Sequence, residues 1–186
     1  MKRTRAFIAI PLPDSLCGQV KKLQHELRAE MPELRTGASQ NLHLTLNFLG
    51  DQSDEQLAKT SRFMISVADY QAPFSLSLQE LGTFPEGKRP RVVWLGVRPL
   101  EPLLILQKRL ANGLAKLGCE KEKTPYRPHL TLGRFRRPPS DIEALYNRQD
   151  TGFDLLQVKS IILYSSRLTP QGAVHQPLTV AELNSR

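Results

Sequence analysis

Residues 41–50 read NLHLTLNFLG and residues 127–136 read RPHLTLGRFR, so the four letters HLTL occur twice in one chain of 186 residues. The alternation of apolar and polar residues predicts a strand in each place. Successive side chains of a strand point to opposite faces, so the leucines of each copy should face a core while its histidine and threonine share the other face. Each copy therefore presents one imidazole beside one hydroxyl.

The surroundings of HLTL are repeated together with the motif. A strand and a leucine-bearing helix precede each copy, and the spacing is thirty-six residues from Phe7 to His43 and thirty-seven from Val92 to His129. A duplicated unit of this length predicts two similar halves packed about a pseudo-twofold axis. The axis would bring the two histidines and the two threonines together across a groove.

Hydrophobic periodicity places the remaining elements on either side of the motif. Strands are predicted at about 5–10, 41–49, 74–81, 91–97, 129–135 and 153–166, with a final hairpin arm at 173–183. Helices are predicted at about 13–30, 53–69 and 101–117, and a short helix is expected to open near Ser140. Residues 35–40 are predicted to be a polar linker. The chain should form one bilobal domain, 1–186, with repeat units at about 5–81 and 91–183.

The charge of the chain favours a polyanionic partner. Lys and Arg number 26 against 18 Asp and Glu, which gives a net charge of +8 and a pI near 9.8. The excess is concentrated at 2–5, 87–91 and 127–137, and the last of these segments surrounds the second HLTL. Nucleic acid is the simplest partner for such a distribution. We expect Arg127 and Arg136 to help hold the body of an RNA substrate.

The same composition bears on location and assembly. No apolar run approaches the length of a membrane span, and the two cysteines, Cys17 and Cys119, are typical of reduced thiols. No long apolar patch or coiled-coil pattern calls for assembly. The sequence thus predicts a cytoplasmic protein, without contact with membranes and monomeric.

Two histidines with two hydroxyls suit acid–base chemistry on a phosphodiester. One imidazole can take a proton from water while the other gives a proton to the departing sugar oxygen. The hydroxyls of Thr45 and Thr131 can donate to the phosphoryl oxygens whose negative charge must be held. We therefore predict His43, His129, Thr45 and Thr131 as catalytic residues.

A metal site is the second interpretation of paired histidines. Zinc needs three or four ligands, and neither HLTL has an acid or a cysteine at ligand spacing. The chain also has no HExxH, CxxC, Walker or GxGxxG motif. We expect neither a metal nor any other cofactor.

The chain resembles the 2H phosphoesterase superfamily, specifically the bacterial RNA 2′,3′-cyclic phosphodiesterases first described as 2′-5′ RNA ligases. The stretches that carry the resemblance are AFIAIPLP, NLHLTLNFLG, RVVWLGV, PHLTLGRF and LYSS, which span nearly the whole sequence. The resemblance implies a bilobal α+β fold in which two antiparallel sheets form a central groove, helices pack outside, and both termini share one lobe.

The resemblance also implies an activity. A terminal 2′,3′-cyclic phosphate would be hydrolysed to a 2′-phosphomonoester without metal or ATP, and RNA ends would be joined weakly and reversibly through a 2′-5′ linkage. His43 would be the proton donor and His129 the acceptor, although the sequence itself does not separate the two roles. A non-catalytic module that binds nucleotides or RNA in the same groove is the alternative.

The two copies differ five residues after the histidine, where the first has Phe48 and the second Arg134. These two side chains could sandwich a terminal base across the groove. In a regular strand an odd offset from the histidine would place both in the core. A bulge at Gly133 could turn Arg134 outward, whereas Asn47 gives weaker support for the same change at Phe48.

The remaining histidines are predicted to take no part in the site. His25 lies on the polar side of the first helix, and His175 lies in the final hairpin arm. Neither is followed by a threonine two residues later.

Overall fold

Nine strands, four α-helices and a short 3₁₀ helix at Ser39–Asn41 make up the computed structural model. It describes residues 3–87, 89–120, 122, 124–139, 142–146, 148, 152–170 and 172–184, with no side chain described for residue 144. The strands are β1 Thr4–Pro11, β2 Leu34–Thr36, β3 His43–Gln52, β4 Phe74–Phe84, β5 Val92–Arg98, β6 Leu130–Phe135, β7 Leu156–Val158, β8 Ser160–Thr169 and β9 Gly172–Glu182. The helices are α1 Asp14–Glu30, α2 Asp54–Ala68, α3 Glu101–Lys116 and α4 Glu143–Tyr146.

The helices α1 and α3 form where leucine periodicity predicts them, and α2 forms within the predicted range 53–69. The hydroxyl of Ser53 accepts a hydrogen bond from the backbone N–H of Gln56 at 3.2 Å, which caps α2 at its predicted start. Gly118, with a φ of 87°, follows the end of α3 in the left-handed conformation that glycine tolerates best. Ser140, where a fourth helix was expected to open, lies outside the described residues.

All strand pairs are antiparallel, and they follow the order β7-β4-β5-β6-β3-β1-β8-β9 with β2 added beside β6. The first half-sheet consists of β3, β1, β8 and β9, and the second of β7, β4, β5, β6 and β2. The two join where β3 meets β6, through the pair Leu44 and Leu130. This α+β architecture, with two antiparallel halves and outer helices, confirms the predicted fold class.

The chain crosses between the half-sheets. The strand β4 pairs with β5, and β8 pairs with β1, so each repeat unit of the sequence contributes strands to both halves. The first and last strands, β1 and β9, lie in the same half-sheet. Within the residues described, no helix has the length and apolar character needed to cross a membrane.

Two local predictions were wrong. The predicted linker overlaps β2, whose Thr36 pairs with Gly133 of β6. The single long strand predicted at 153–166 is two strands separated at Lys159, because β7 pairs with β4 in one half-sheet and β8 pairs with β1 in the other. In both cases the pairing partner is distant in sequence, so local periodicity carries no sign of it.

Candidate active site

A cavity of about 800 Å³ opens between the two half-sheets, at the junction of β3 and β6. Both HLTL motifs contribute to its wall. The first motif occupies the start of β3, and the second begins at His129, the residue just before β6. The leucines that follow the histidines, Leu44 and Leu130, are fully buried on the opposite face. The groove thus receives the predicted residues His43, Thr45, Phe48, His129, Thr131 and Arg134.

The two imidazoles are held by equivalent hydrogen bonds. Nδ1 of His43 lies 2.7 Å from the carbonyl oxygen of Asn41, and Nδ1 of His129 lies 2.7 Å from that of Arg127. A carbonyl oxygen only accepts, so each Nδ1 must carry the hydrogen of its bond. Nε2 is therefore the nitrogen of each ring that can take up or release a proton. The duplication therefore extends to the backbone carbonyl that orients each imidazole.

Each imidazole also packs against a pair of aromatic rings. The ring centroid of His43 is 4.7 Å from that of Phe7 and 6.2 Å from that of Tyr164. The ring centroid of His129 is likewise 5.0 Å from that of Phe84 and 6.3 Å from that of Trp94. These contacts restrict the orientation of the imidazoles and exclude water from one side of each.

Burial makes both histidines weaker bases than usual. It lowers the pKa of His43 to about 4, against a smaller opposing effect of the hydrogen bond to Asn41. Burial likewise lowers the pKa of His129, and the nearby guanidinium of Arg134 lowers it further. Both imidazoles are therefore neutral near pH 7 in the unliganded protein.

A matching bulge in β3 and in β6 decides where Phe48 and Arg134 point. Along β3, Thr45 pairs with Ala9 and Asn47 with Ile8, which leaves Leu46 as an extra residue. The alternation shifts there, so Asn47 turns into the core while Phe48 is 57% exposed in the groove. Strand parity alone would have buried this phenylalanine.

The second copy contains the same irregularity. Thr131 pairs with Trp94 and Gly133 with Val93, so Leu132 is the extra residue and Arg134 turns outward into the groove. A Cβ at Gly133 would lie only 2.8 Å from the carbonyl oxygen of Arg35 on β2. Glycine is thus required for β2 to approach, and the bulge expected at this position is present.

Arg127 and Arg136 do not reach the groove. The guanidinium of Arg127 pairs with the carboxylate of Glu86 at 3.1 Å and lies 5.7 Å from the ring centroid of Phe84. The exposed side chain of Arg136 lies beyond the cavity wall. The sequence predicts that these two arginines hold the body of an RNA and take no part in the chemistry, and that role stays a prediction. Lys88, in the basic loop 87–91, lies outside the described residues.

His175 lines the groove, which the sequence did not reveal. Its imidazole centroid lies 5.3 Å from that of His43 and 4.9 Å from that of Phe7, edge-on to both rings. Its Nδ1 is buried and has no hydrogen-bond partner among the described residues. A positive charge on His175 would lower the pKa of His43 further. The expectation that His175 lies apart from the site was wrong, because β9 reaches the groove only through its pairing with β8.

Among the described residues, no group of three or more His, Cys, Asp or Glu side chains is arranged to hold a metal ion. Glu122 is an acidic side chain that acts on the site. Its carboxylate accepts a hydrogen bond from the backbone N–H of Phe48 at 3.3 Å, and its charge acts to raise the pKa of His129. The candidate catalytic groups are thus the imidazoles of His43 and His129 and the hydroxyls of Thr45 and Thr131, and Arg134 is among the guanidiniums that line the same cavity.

Comparisons with known proteins agree over most of the chain. The model of the 2′-5′ RNA ligase superfamily matches residues 12–167. An RNA 2′,3′-cyclic phosphodiesterase of Archaeoglobus fulgidus is 33% identical over 179 residues, which cover 96% of this chain and 99% of the relative. One of Escherichia coli K12 is 37% identical over 132 residues, which cover 70% of this chain and 71% of the relative.

Solved structures show the same similarity in three dimensions. Escherichia coli LigT complexed with 3′-AMP has a TM-score of 0.81 at 32% identity, and the match covers 98% of this chain and 99% of that one. A protein of Thermus thermophilus has a TM-score of 0.86 at 26% identity, with the same coverage of both chains.

Proposed function

The chain belongs to the 2′-5′ RNA ligase superfamily, and we propose that it opens the 2′,3′-cyclic phosphate at an RNA end by acid–base catalysis between His43 and His129. Its curated relatives are RNA 2′,3′-cyclic phosphodiesterases over nearly the full chain, so the class of enzyme is a phosphoric diester hydrolase. The observation that supports the mechanism is the pair of imidazoles, each with Nδ1 held by a carbonyl and Nε2 left for proton transfer.

The reaction needs two proton transfers and one substitution at phosphorus. The basic imidazole takes a proton from water, the water oxygen bonds to phosphorus, and the bond from phosphorus to the 3′ oxygen breaks. The second imidazole protonates that oxygen, which leaves a 3′-hydroxyl and a 2′-phosphomonoester. The resemblance assigns the donor to His43 and the acceptor to His129. If the 5′-hydroxyl of another RNA replaces the water, the same steps produce a 2′-5′ linkage.

Thr45 and Thr131 are the hydroxyl groups that accompany His43 and His129 in the two HLTL motifs. Each is two residues after its histidine and lines the same cavity, so its hydroxyl can donate to a non-bridging phosphoryl oxygen as charge develops there. The threonines contribute less than the histidines, because other donors can partly replace one hydrogen bond. Removing a well-placed donor of this kind costs about 2.7–4 kcal/mol at most.

The anionic substrate supplies what the free site lacks. Both histidines are neutral near pH 7 in the unliganded protein, yet one must be protonated to act as the acid. A negative charge within a few ångströms raises the pKa of an imidazole because it favours the cationic form. A bound cyclic phosphate therefore promotes the protonation that its own cleavage requires.

The direct test is turnover of a 2′,3′-cyclic mononucleotide after exhaustive treatment with a chelator. We expect a 2′-phosphomonoester as product and an unchanged rate, measured by chromatography of the products. A non-catalytic nucleotide-binding module would bind the nucleotide without converting it. Activity lost to the chelator and restored by zinc or manganese would contradict the metal-independent mechanism.

The pH profile should reflect the lowered pKa values of the two histidines. For the free protein, activity falls at low pH as the base becomes protonated and at high pH as the acid loses its proton. Both pKa values lie below 6.5, so kcat/KM should be bell-shaped with an optimum on the acid side of 6.5. The profile of kcat should lie at higher pH, because the bound anion raises both pKa values. A kcat/KM optimum well above pH 7 would contradict this assignment.

Phe48 and Arg134 are proposed to hold the terminal base between them. Both side chains enter the groove at equivalent positions of the two bulged strands, and the ring of Phe48 lies 6.2 Å from that of Phe7. We expect Phe48→Leu and Arg134→Ala to weaken binding of the 2′-nucleotide product without lowering the melting temperature. Calorimetric titration beside thermal unfolding checks both parts. Normal product binding by Phe48→Leu together with a lower melting temperature would assign Phe48 to the core.

A further inference from the structure

A second cavity, of about 430 Å³, adjoins the groove at the end of β1, β8 and β9. Arg5 and Ser166 line both cavities, so the two cavities share part of their walls. The remaining described residues that line the second cavity are polar or basic except for two apolar side chains of β9: Arg3, Thr4, Ser165, Arg167, Gln176, Val174 and Leu178.

The charge of this second cavity is uncompensated. It contains the three exposed arginines Arg3, Arg5 and Arg167, and none of the described residues that line it carries a carboxylate. Asp51 stands opposite Arg5 in the β1–β3 register, but no ion pair joins them. None of the three guanidiniums forms an ion pair with a carboxylate in the part of the chain that the structure describes.

The cavity on the other flank of the site differs in this respect. It measures about 350 Å³ and contains Arg98 and Arg127, and each of these is matched by a glutamate that also lines it. Arg98 pairs with Glu80 at 3.8 Å, and Arg127 pairs with Glu86 at 3.1 Å. A polyanion leaving the groove on that flank would meet two carboxylates, whereas on the Arg3 flank it would meet three arginines.

We propose that the second cavity is the subsite for the phosphodiester backbone of the RNA strand whose cyclic end occupies the groove. This inference rests on the proposed function and adds the path of the RNA body, which runs over the β8–β9 hairpin instead of over Arg127 and Arg136. Guanidiniums suit phosphate because their fork of N–H groups matches its oxygens.

Hydroxyls in the second cavity add donors beside the arginines. The hydroxyl of Ser165 is engaged, since it donates to the carbonyl of Gln176 at 3.3 Å. Those of Thr4 and Ser166 make no hydrogen bond to any described residue and remain available to phosphate oxygens. Contacts of this kind position a strand without reading its bases, so the subsite accepts RNA of any sequence.

The test compares Arg3→Gln/Arg167→Gln with a matched control, Lys22→Gln/Arg28→Gln, which removes two charges from the exposed face of α1 outside all three cavities. Arg5 is left in place because it also lines the groove. The substrates are a ten-nucleotide RNA with a 2′,3′-cyclic end and a 2′,3′-cyclic mononucleotide. Fluorescence anisotropy with the same RNA bearing a 2′-phosphate measures binding without turnover.

Removing Arg3 and Arg167 should raise KM for the oligonucleotide, and the Kd of the 2′-phosphate RNA, about tenfold. The slope of log KM against log salt should fall by about 1.4, since each phosphate contact on a single strand contributes about 0.7. Kinetics on the mononucleotide should not change, and the control should resemble wild type on both substrates.

Two results would overturn the subsite. One is an RNA Kd equal to that of the control, a comparison that needs no turnover. The other is an equal loss on the oligonucleotide and the mononucleotide. A wild-type protein that binds the RNA through Arg3 and Arg167 but converts neither substrate would instead refute the proposed function and leave the binding site standing.

Discussion

Replacing His43 or His129 with alanine is expected to lower kcat for a 2′,3′-cyclic nucleotide by about 10²–10⁴-fold in each case. Each substitution removes the Nε2 that takes up or releases a proton, while the cavity and the two threonines remain. Both side chains face the groove, and the fully buried leucines on the opposite face of each strand remain in place. The loss should therefore appear in the rate with the fold intact, which circular dichroism and the melting temperature check.

His25→Ala is the matched control for these variants. His25 is exposed on α1 and lines none of the cavities, so both rate and stability should stay near wild type. His175→Ala is unsuitable as a control because the imidazole of His175 lies beside His43. In the double variant His43→Ala/His129→Ala the loss should be far smaller than the product of the two single losses, since the histidines act as one unit. A single variant with the wild-type rate would refute the two-histidine mechanism.

Replacing Leu44 or Leu130 with alanine is expected to lower the free energy of unfolding by about 2–5 kcal/mol for each residue. Both side chains are fully buried, and the two residues form the pair through which β3 joins β6. The cost combines lost apolar burial with the cavity left at the junction. Denaturant unfolding at constant pH measures it, and Leu168→Ala, at a leucine 72% exposed, should change stability by less than about 0.5 kcal/mol.

The same leucines hold the two halves of the site at their working separation. Leu44 lies between His43 and Thr45 in sequence, and Leu130 lies between His129 and Thr131. A shift of about 1 Å in a catalytic group can cost about a hundredfold in rate. Variants that remain folded should thus lose kcat in addition to stability. Stability loss at Leu130 no greater than at Leu168 would show that the junction contributes nothing.

The sequence was sufficient to predict elements governed by contacts close along the chain. The α1 stripe of Leu16, Val20, Leu23 and Leu27 is buried as its spacing predicts, because residues three and four apart share one face of a helix. The HLTL strands present His and Thr to the groove for an equally local reason, the alternation of side chains along a strand. Duplication of the motif, together with its surroundings, was enough to predict a paired site.

Features that depend on strand pairing could not be predicted in this way. Whether 153–166 is one strand or two depends on which partners β7 and β8 find, and His175 approaches His43 only because β9 lies beside β8. The exposure of Phe48 follows from an extra residue at Leu46, which is defined only against the register of β1. No pattern within 41–50 distinguishes that bulge from a regular strand.

By itself the sequence determined the helices, the strand faces of HLTL, the duplication and the excess of positive charge, because each depends on residue type and short-range spacing. Only the tertiary structure decided the single junction at Leu44 and Leu130, the third imidazole at His175 and the difference between the two flanks of the groove. The sequence does not distinguish Arg127 from Arg3, because both lie in basic segments. The fold places a glutamate beside Arg127 and none of the described carboxylates beside Arg3, and this difference in pairing sets the electrostatic path open to a polyanion.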